Sequence, residues 1–110
     1  MAVPTTVGRV IEADHESTSV TIRVAGTLDG VAGAAMVDTL RAELDRGPAR
    51  VDVDLTGVVA FDDEGAAALA HLRAVGVGLP DGLHYRTDGG AGQDAVLVAF
   101  ELEALEDEAG

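Results

Sequence analysis

The sequence predicts a single α/β domain with element order β-β-α-β-α-β-α. Three observations carry this: alternating β-branched residues at 7–12 and 19–25, a helical period that starts at Val31, and a strict alternation at 50–55. At 110 residues the chain holds one core, and a chain of that size buries roughly 65% of its unfolded surface, so it can fold without metals or disulfides.

Residues 7–12 (VGRVIE) and 19–25 (SVTIRVA) flank a polar stretch, 13–18, suited to a turn, and together predict a hairpin. Along the second strand Val20, Ile22 and Val24 share one face. The segment 26–30 (GTLDG) breaks the pattern and reads as a loop. From Val31 to Asp45 the stripe Gly33, Met36/Val37, Leu40, Leu44 recurs at three- and four-residue spacing, which is an amphipathic helix with a core face. Arg46-Gly47-Pro48 closes it. Val51, Val53 and Leu55 then line one face of a third strand. A short apolar segment, 58–61, runs into Asp62-Asp63-Glu64-Gly65 and an Ala-rich helix to Val75. Asp62 suits the N-cap, and Asp63 and Glu64 fall in the first turn, where negative charge complements the helix dipole. Residues 76–82 are a loop, 83–87 a last strand and 92–105 a last helix. The first six residues are expected to be flexible and 106–110 to be a frayed acidic tail, leaving 7–105 as the folded domain.

Composition excludes more than it names. Twenty carboxylates against seven Arg give a net charge of −13, which opposes binding to nucleic acid or to an anionic membrane surface and favours a basic partner. The absence of Lys removes Schiff-base and P-loop chemistry, and the absence of Cys removes thiol nucleophiles and thiolate metal sites. Ser17 and Ser19 lie in the hairpin region, not in a nucleophile elbow, and His15, His71 and His84 have no metal-binding spacing. No apolar run approaches the length of a membrane span, and the N-terminus lacks the pattern of a secretory signal, so a cytoplasmic location is expected. No catalytic residue, metal site or cofactor is predicted.

Three short segments in order give a function. Gly26-Thr27-Leu28-Asp29 follows an alternating strand, Asp54-Leu55-Thr56-Gly57-Val58 ends another, and Phe61-Asp62-Asp63-Glu64-Gly65 opens a helix. Together they resemble the STAS domain of bacterial anti-sigma factor antagonists, whose pattern is a G-x-L-D loop, a D-L-[ST] strand end and a D-[ST]-[SA]-G turn. The resemblance covers 7–105 and implies a four-stranded mixed sheet with three helices. It also implies partner switching: the antagonist binds an anti-sigma factor that is a histidine-kinase-like ATPase, and phosphorylation of the hydroxyl before the motif's glycine releases it. Carried over residue by residue, Asp62 matches the leading Asp, Asp63 and Glu64 the two hydroxyl positions, and Gly65 the glycine. Glu64 therefore holds the phosphoacceptor position with a carboxylate, so phosphorylation at that position is chemically excluded. The nearest hydroxyl is Thr56, the remaining candidate for modification.

The resemblance places Leu28, Asp29, Asp62, Asp63, Glu64 and Gly65 on the partner-binding face. Each also has a plainer reading. The acidic triplet serves as helix-start electrostatics and Asp29 as a cap; a divalent cation site from the three carboxylates is a third alternative. Asp52 and Asp54 share a sheet face, and Asp54 is expected to bond backbone near Gly57. Two functions stay open: an anti-sigma factor antagonist, and a STAS subunit of a larger assembly such as a stress-sensing complex or a lipid-transport ATPase system. Self-association as a homodimer is compatible with both.

Overall fold

A computed structural model describes residues 9–16 and 18–109. Its elements are β1 (Arg9–Glu16), β2 (Ser19–Leu28), α1 (Gly30–Leu44), β3 (Arg50–Phe61), α2 (Asp63–Val75), a short 3-10 turn (Gly76–Gly78), β4 (Gly82–Arg86) and α3 (Gly90–Ala109). The strands lie in the order β1-β2-β3-β4. β2, β3 and β4 run parallel, each joined to the next through a helix, and β1 runs antiparallel along the outer side of β2. The three parallel strands and three helices are the α/β arrangement that the residue periods predict.

The core lies between one sheet face and the helices. Val20, Ile22 and Val24 of β2 and Val51, Val53 and Leu55 of β3 are buried against Met36 and Leu40 of α1, Leu69 and Leu72 of α2, and Ala95 and Ala99 of α3. The predicted α1 stripe is thus the core face, with Leu44 packed at its margin. The opposite sheet face is polar. There the Arg50 guanidinium forks onto Asp52 (Nη2 to Oδ1 2.9 Å, Nε to Oδ2 3.1 Å), and Arg23 lies 4.0 Å from Asp54. Asp52 and Asp54 do share a face, and each is engaged with its own neighbours.

Several boundaries differ from expectation for physical reasons. Residues 13–16, expected in a turn, continue β1, because Ala13 to Glu16 find partners from Ile22 back to Ser19. Gly26, Thr27 and Leu28, expected in a loop, extend β2. The motif at 54–58 sits within β3 rather than at its end: the strand continues to Phe61 through two irregularities in its pairing with β2, opposite 23–25 and 26–27. Those extra residues break the period of two that marks a strand. α3 begins at Gly90 and runs to Ala109, so the expected frayed tail is helical at least to that point. The first six residues lie outside the described part.

Candidate functional site

The site forms where two parallel strands end side by side. Leu28, the last residue of β2, pairs with Phe61, the last of β3. Each strand is followed by a single aspartate and then a helix. Asp29 caps α1, its carboxylate accepting from the Ala32 N–H at 2.9 Å, and Asp62 caps α2, accepting from the Gly65 N–H at 2.9 Å. Both residues are extended, and both helix starts are thereby supplied with an acceptor that no residue inside the helix can provide. The Leu28 carbonyl also accepts from the Asp62 N–H at 3.2 Å, tying one helix start to the other.

This register sets four carboxylate residues at the same end of the sheet: Asp29, Asp62, Asp63 and Glu64. Asp62, Asp63 and Glu64 are exposed, and Asp29 is half-buried. Two helix N-termini offset part of their mutual repulsion, each carrying roughly half a positive charge. Glu64 does more than line the surface. Its carboxylate leans across to Gly30, the first residue of α1, and occupies the space that a Cβ there would need. The Glu64 side chain thus rests on the neighbouring helix start.

Gly65 shows why this turn needs a glycine. A Cβ at that position would overlap the Leu28 carbonyl and press on the Leu28 side chain. The close approach lets Leu28, fully buried, fill the space under the turn. Leu28 and Gly65, both expected on a contact face, have interior positions, while Asp62, Asp63 and Glu64 face outward. Val31, in the first turn of α1, adds an exposed apolar group (66% accessible) at the same end of the sheet.

Thr56 lies outside this cluster. It is exposed on the polar sheet face, where its hydroxyl donates to Asp54 Oδ1 at 2.7 Å and its N–H to the same oxygen at 2.9 Å. Asp54 thus bonds backbone one residue short of Gly57. Burial works against the Asp54 carboxylate, yet the hydroxyl and N–H of Thr56 and the guanidinium groups of Arg86 and Arg23 outweigh it and hold its pKa below the ordinary value. Among the described residues no three His, Asp or Glu side chains converge as a metal site.

Sequence reasoning identified both caps and the acidic turn but missed two features. Parallel in-register pairing of Leu28 with Phe61, which sets the two caps beside each other, is a long-range fact with no local signature. The burial of Leu28 did have a signal: it keeps the parity of Val20, Ile22 and Val24.

Comparison with known proteins agrees with this fold. The family model described as "Mlab, STAS domain" matches residues 11–104. The chain belongs to the STAS family. A crystal structure of an anti-sigma factor antagonist from Mycobacterium paratuberculosis superposes with a TM-score of 0.68 at 18% identity, covering 98% of this chain and 86% of that one. The crystal structure of Mglu matches over 71% of this chain but only 19% of its own length, with a TM-score of 0.56 and 23% identity. At these identities the likeness concerns the fold. No curated protein matches the chain. No helix among the described residues is long and apolar enough to cross a membrane.

Proposed function

We propose that this STAS domain is a non-enzymatic regulatory binding module, an antagonist that engages an anti-sigma factor of the histidine-kinase-like ATPase kind through its acidic turn. The observation that carries the proposal is the exposed carboxylate set Asp62, Asp63 and Glu64 at the start of α2, beside the capped start of α1. In the family's switching scheme a phosphate on the residue before the glycine adds about −1.5 to −2 charges at this point. Glu64 supplies about one of those charges permanently and has no hydroxyl to modify. Binding is then set by the presence of the partner and not by phosphorylation of the turn.

A partner suited to this surface presents Arg or Lys opposite residues 62–64, because the chain carries −13 overall and three adjacent carboxylates at the contact. The second reading, a subunit of a larger STAS-containing assembly, draws on the same substitution: a docked subunit needs no release signal. The family's description as an Mlab-type STAS domain favours keeping it.

The test is to incubate the protein with its cognate kinase and ATP and map modifications by mass spectrometry. The proposal expects no phosphate within 62–65. Phosphate on Thr56 would show that the switch has moved to the polar sheet face, and it would overturn the reading of an unswitched antagonist. Affinity capture from the native cells separates the two readings, an anti-sigma kinase supporting the first and a transporter ATPase the second.

A further inference from the structure

We infer that Arg41 and His71, paired across the seam between α1 and α2, receive an acidic side chain of the partner that meets the acidic turn. The inference rests on the proposed reading of that turn as a contact. It adds what else the partner must carry, a carboxylate set about two turns of α2 away from its basic contact.

The two helices start together at the turn and stay side by side. Glu64 lies against Gly30, and a Cβ on Gly33 would press on that of Ala68. Further along, Arg41 Nη2 reaches His71 Nε2 at 3.2 Å, and both residues are exposed. Glu64 and His71 are seven positions apart, so about 10 Å of helix separates the acidic turn from this pair. The exposed α2 residue between them is Ala67, too small to hold a partner off the surface.

Arg41 differs from other arginines of the chain. Arg23 lies beside Asp54, Arg46 beside Glu43 and Arg50 beside Asp52. Among the described residues no carboxylate is within ion-pair distance of Arg41, although Asp38 and Asp45 stand one turn before and one turn after it on α1. Its guanidinium crosses the seam to a base instead. A guanidinium only donates, so His71 Nε2 accepts, and the neutral ring carries its proton on Nδ1.

An incoming carboxylate completes this arrangement. It accepts from Arg41 and favours a proton from solvent on His71 Nε2, which becomes a second donor. Histidine changes charge between pH 5 and 8, so binding takes up that proton in this range and strengthens as pH falls. The surroundings leave the outcome to Arg41 and the incoming acid. One turn away on α2 stand Ala67, Ala68, Ala74 and Val75, none of them charged, and the core side chains beneath are apolar. On α1 the charged neighbours are Arg41, Asp38 and Asp45, while α3 meets α2 through Arg73 and Phe100.

Charge also sets orientation. A partner with basic groups alone would meet a chain of charge −13 in many ways. An acid on Arg41 selects one of them, and the reversed arrangement sets like charges together at both ends.

Calorimetric titration of the anti-sigma factor proposed as partner tests this. Arg41→Glu should weaken binding roughly fivefold or more, and Arg41→Lys should keep most of the affinity. Wild-type affinity should rise from pH 8 to pH 6, and His71→Gln should lose most of that rise. Because the chain has no Lys, Arg41→Lys also supplies a single lysine amine for carbodiimide coupling, and mass spectrometry should find it joined to an Asp or Glu of the partner. Circular dichroism checks that each variant is folded. Wild-type binding that Arg41→Glu leaves unchanged overturns this inference and leaves the reading of the acidic turn standing. So does a pH response that His71→Gln retains in full, or an introduced amine that couples only to carboxylates of this chain. A wild type that does not bind the partner at all overturns both.

Discussion

Glu64 and Asp54 are both carboxylates on partly open surfaces, yet the structure gives them opposite duties. Glu64 faces solvent at a helix start and leans on Gly30, whereas Asp54 is enclosed by its own neighbours. Asp54→Ala removes the acceptor of the Thr56 hydroxyl and N–H and leaves Arg23 and Arg86 without their shared counter-charge; a loss of roughly 1–2 kcal/mol in urea unfolding at neutral pH is expected. The sign with pH follows from the depressed pKa. The contribution of Asp54 is full above the ordinary carboxylate value near about 4 and disappears as pH falls through the lower value of the folded state. Wild type and variant should therefore converge in stability toward strongly acidic pH. A gap that stayed constant there would mean that the charge of Asp54 contributes nothing.

At the scale of elements, the two glycines of the site separate packing from surface chemistry. Gly65→Ala drives a Cβ into the Leu28 carbonyl, a backbone atom that cannot yield without moving the end of β2, so a loss of about 1–3 kcal/mol in thermal or urea unfolding is expected. Gly30→Ala meets only the far end of the Glu64 side chain, which can swing away. That variant should unfold within about 0.5 kcal/mol of wild type or be more stable, since Ala favours the helix. It should nevertheless alter partner affinity by displacing the Glu64 carboxylate. Equal stability losses in the two variants would show that the Glu64 side chain is as fixed as the backbone.

The elements also differ in how far they could be read from the sequence. α1 and both caps were legible because their information is local: a stripe of Met36, Leu40 and Leu44, and an aspartate directly before each helix. The full length of β3 was not, because Thr56 and Val59 sit at pairing irregularities that spoil the alternation. Gly26 has a positive φ of 88° and looks like a loop residue, although it lies inside β2. The acidic turn was visible as three letters, but its proximity to Asp29 and Gly30 depends on a parallel pairing between residues more than thirty positions apart.

For the whole molecule, a charge of −13 makes any specific contact compete with long-range repulsion from acidic surfaces and gain from basic ones. Because the charges at the turn are exposed, their effect should fade as salt screens them over a distance of about 8 Å at physiological ionic strength. Calorimetric titration of the anti-sigma factor proposed as partner with wild type and Glu64→Ser, at low and at high salt, tests the central claim most directly. The account predicts that wild-type affinity falls with salt and that Glu64→Ser binds more weakly by roughly 0.2–1 kcal/mol at low salt, as for an exposed charge pair. Tighter binding by Glu64→Ser, or a wild-type affinity indifferent to salt, would contradict it.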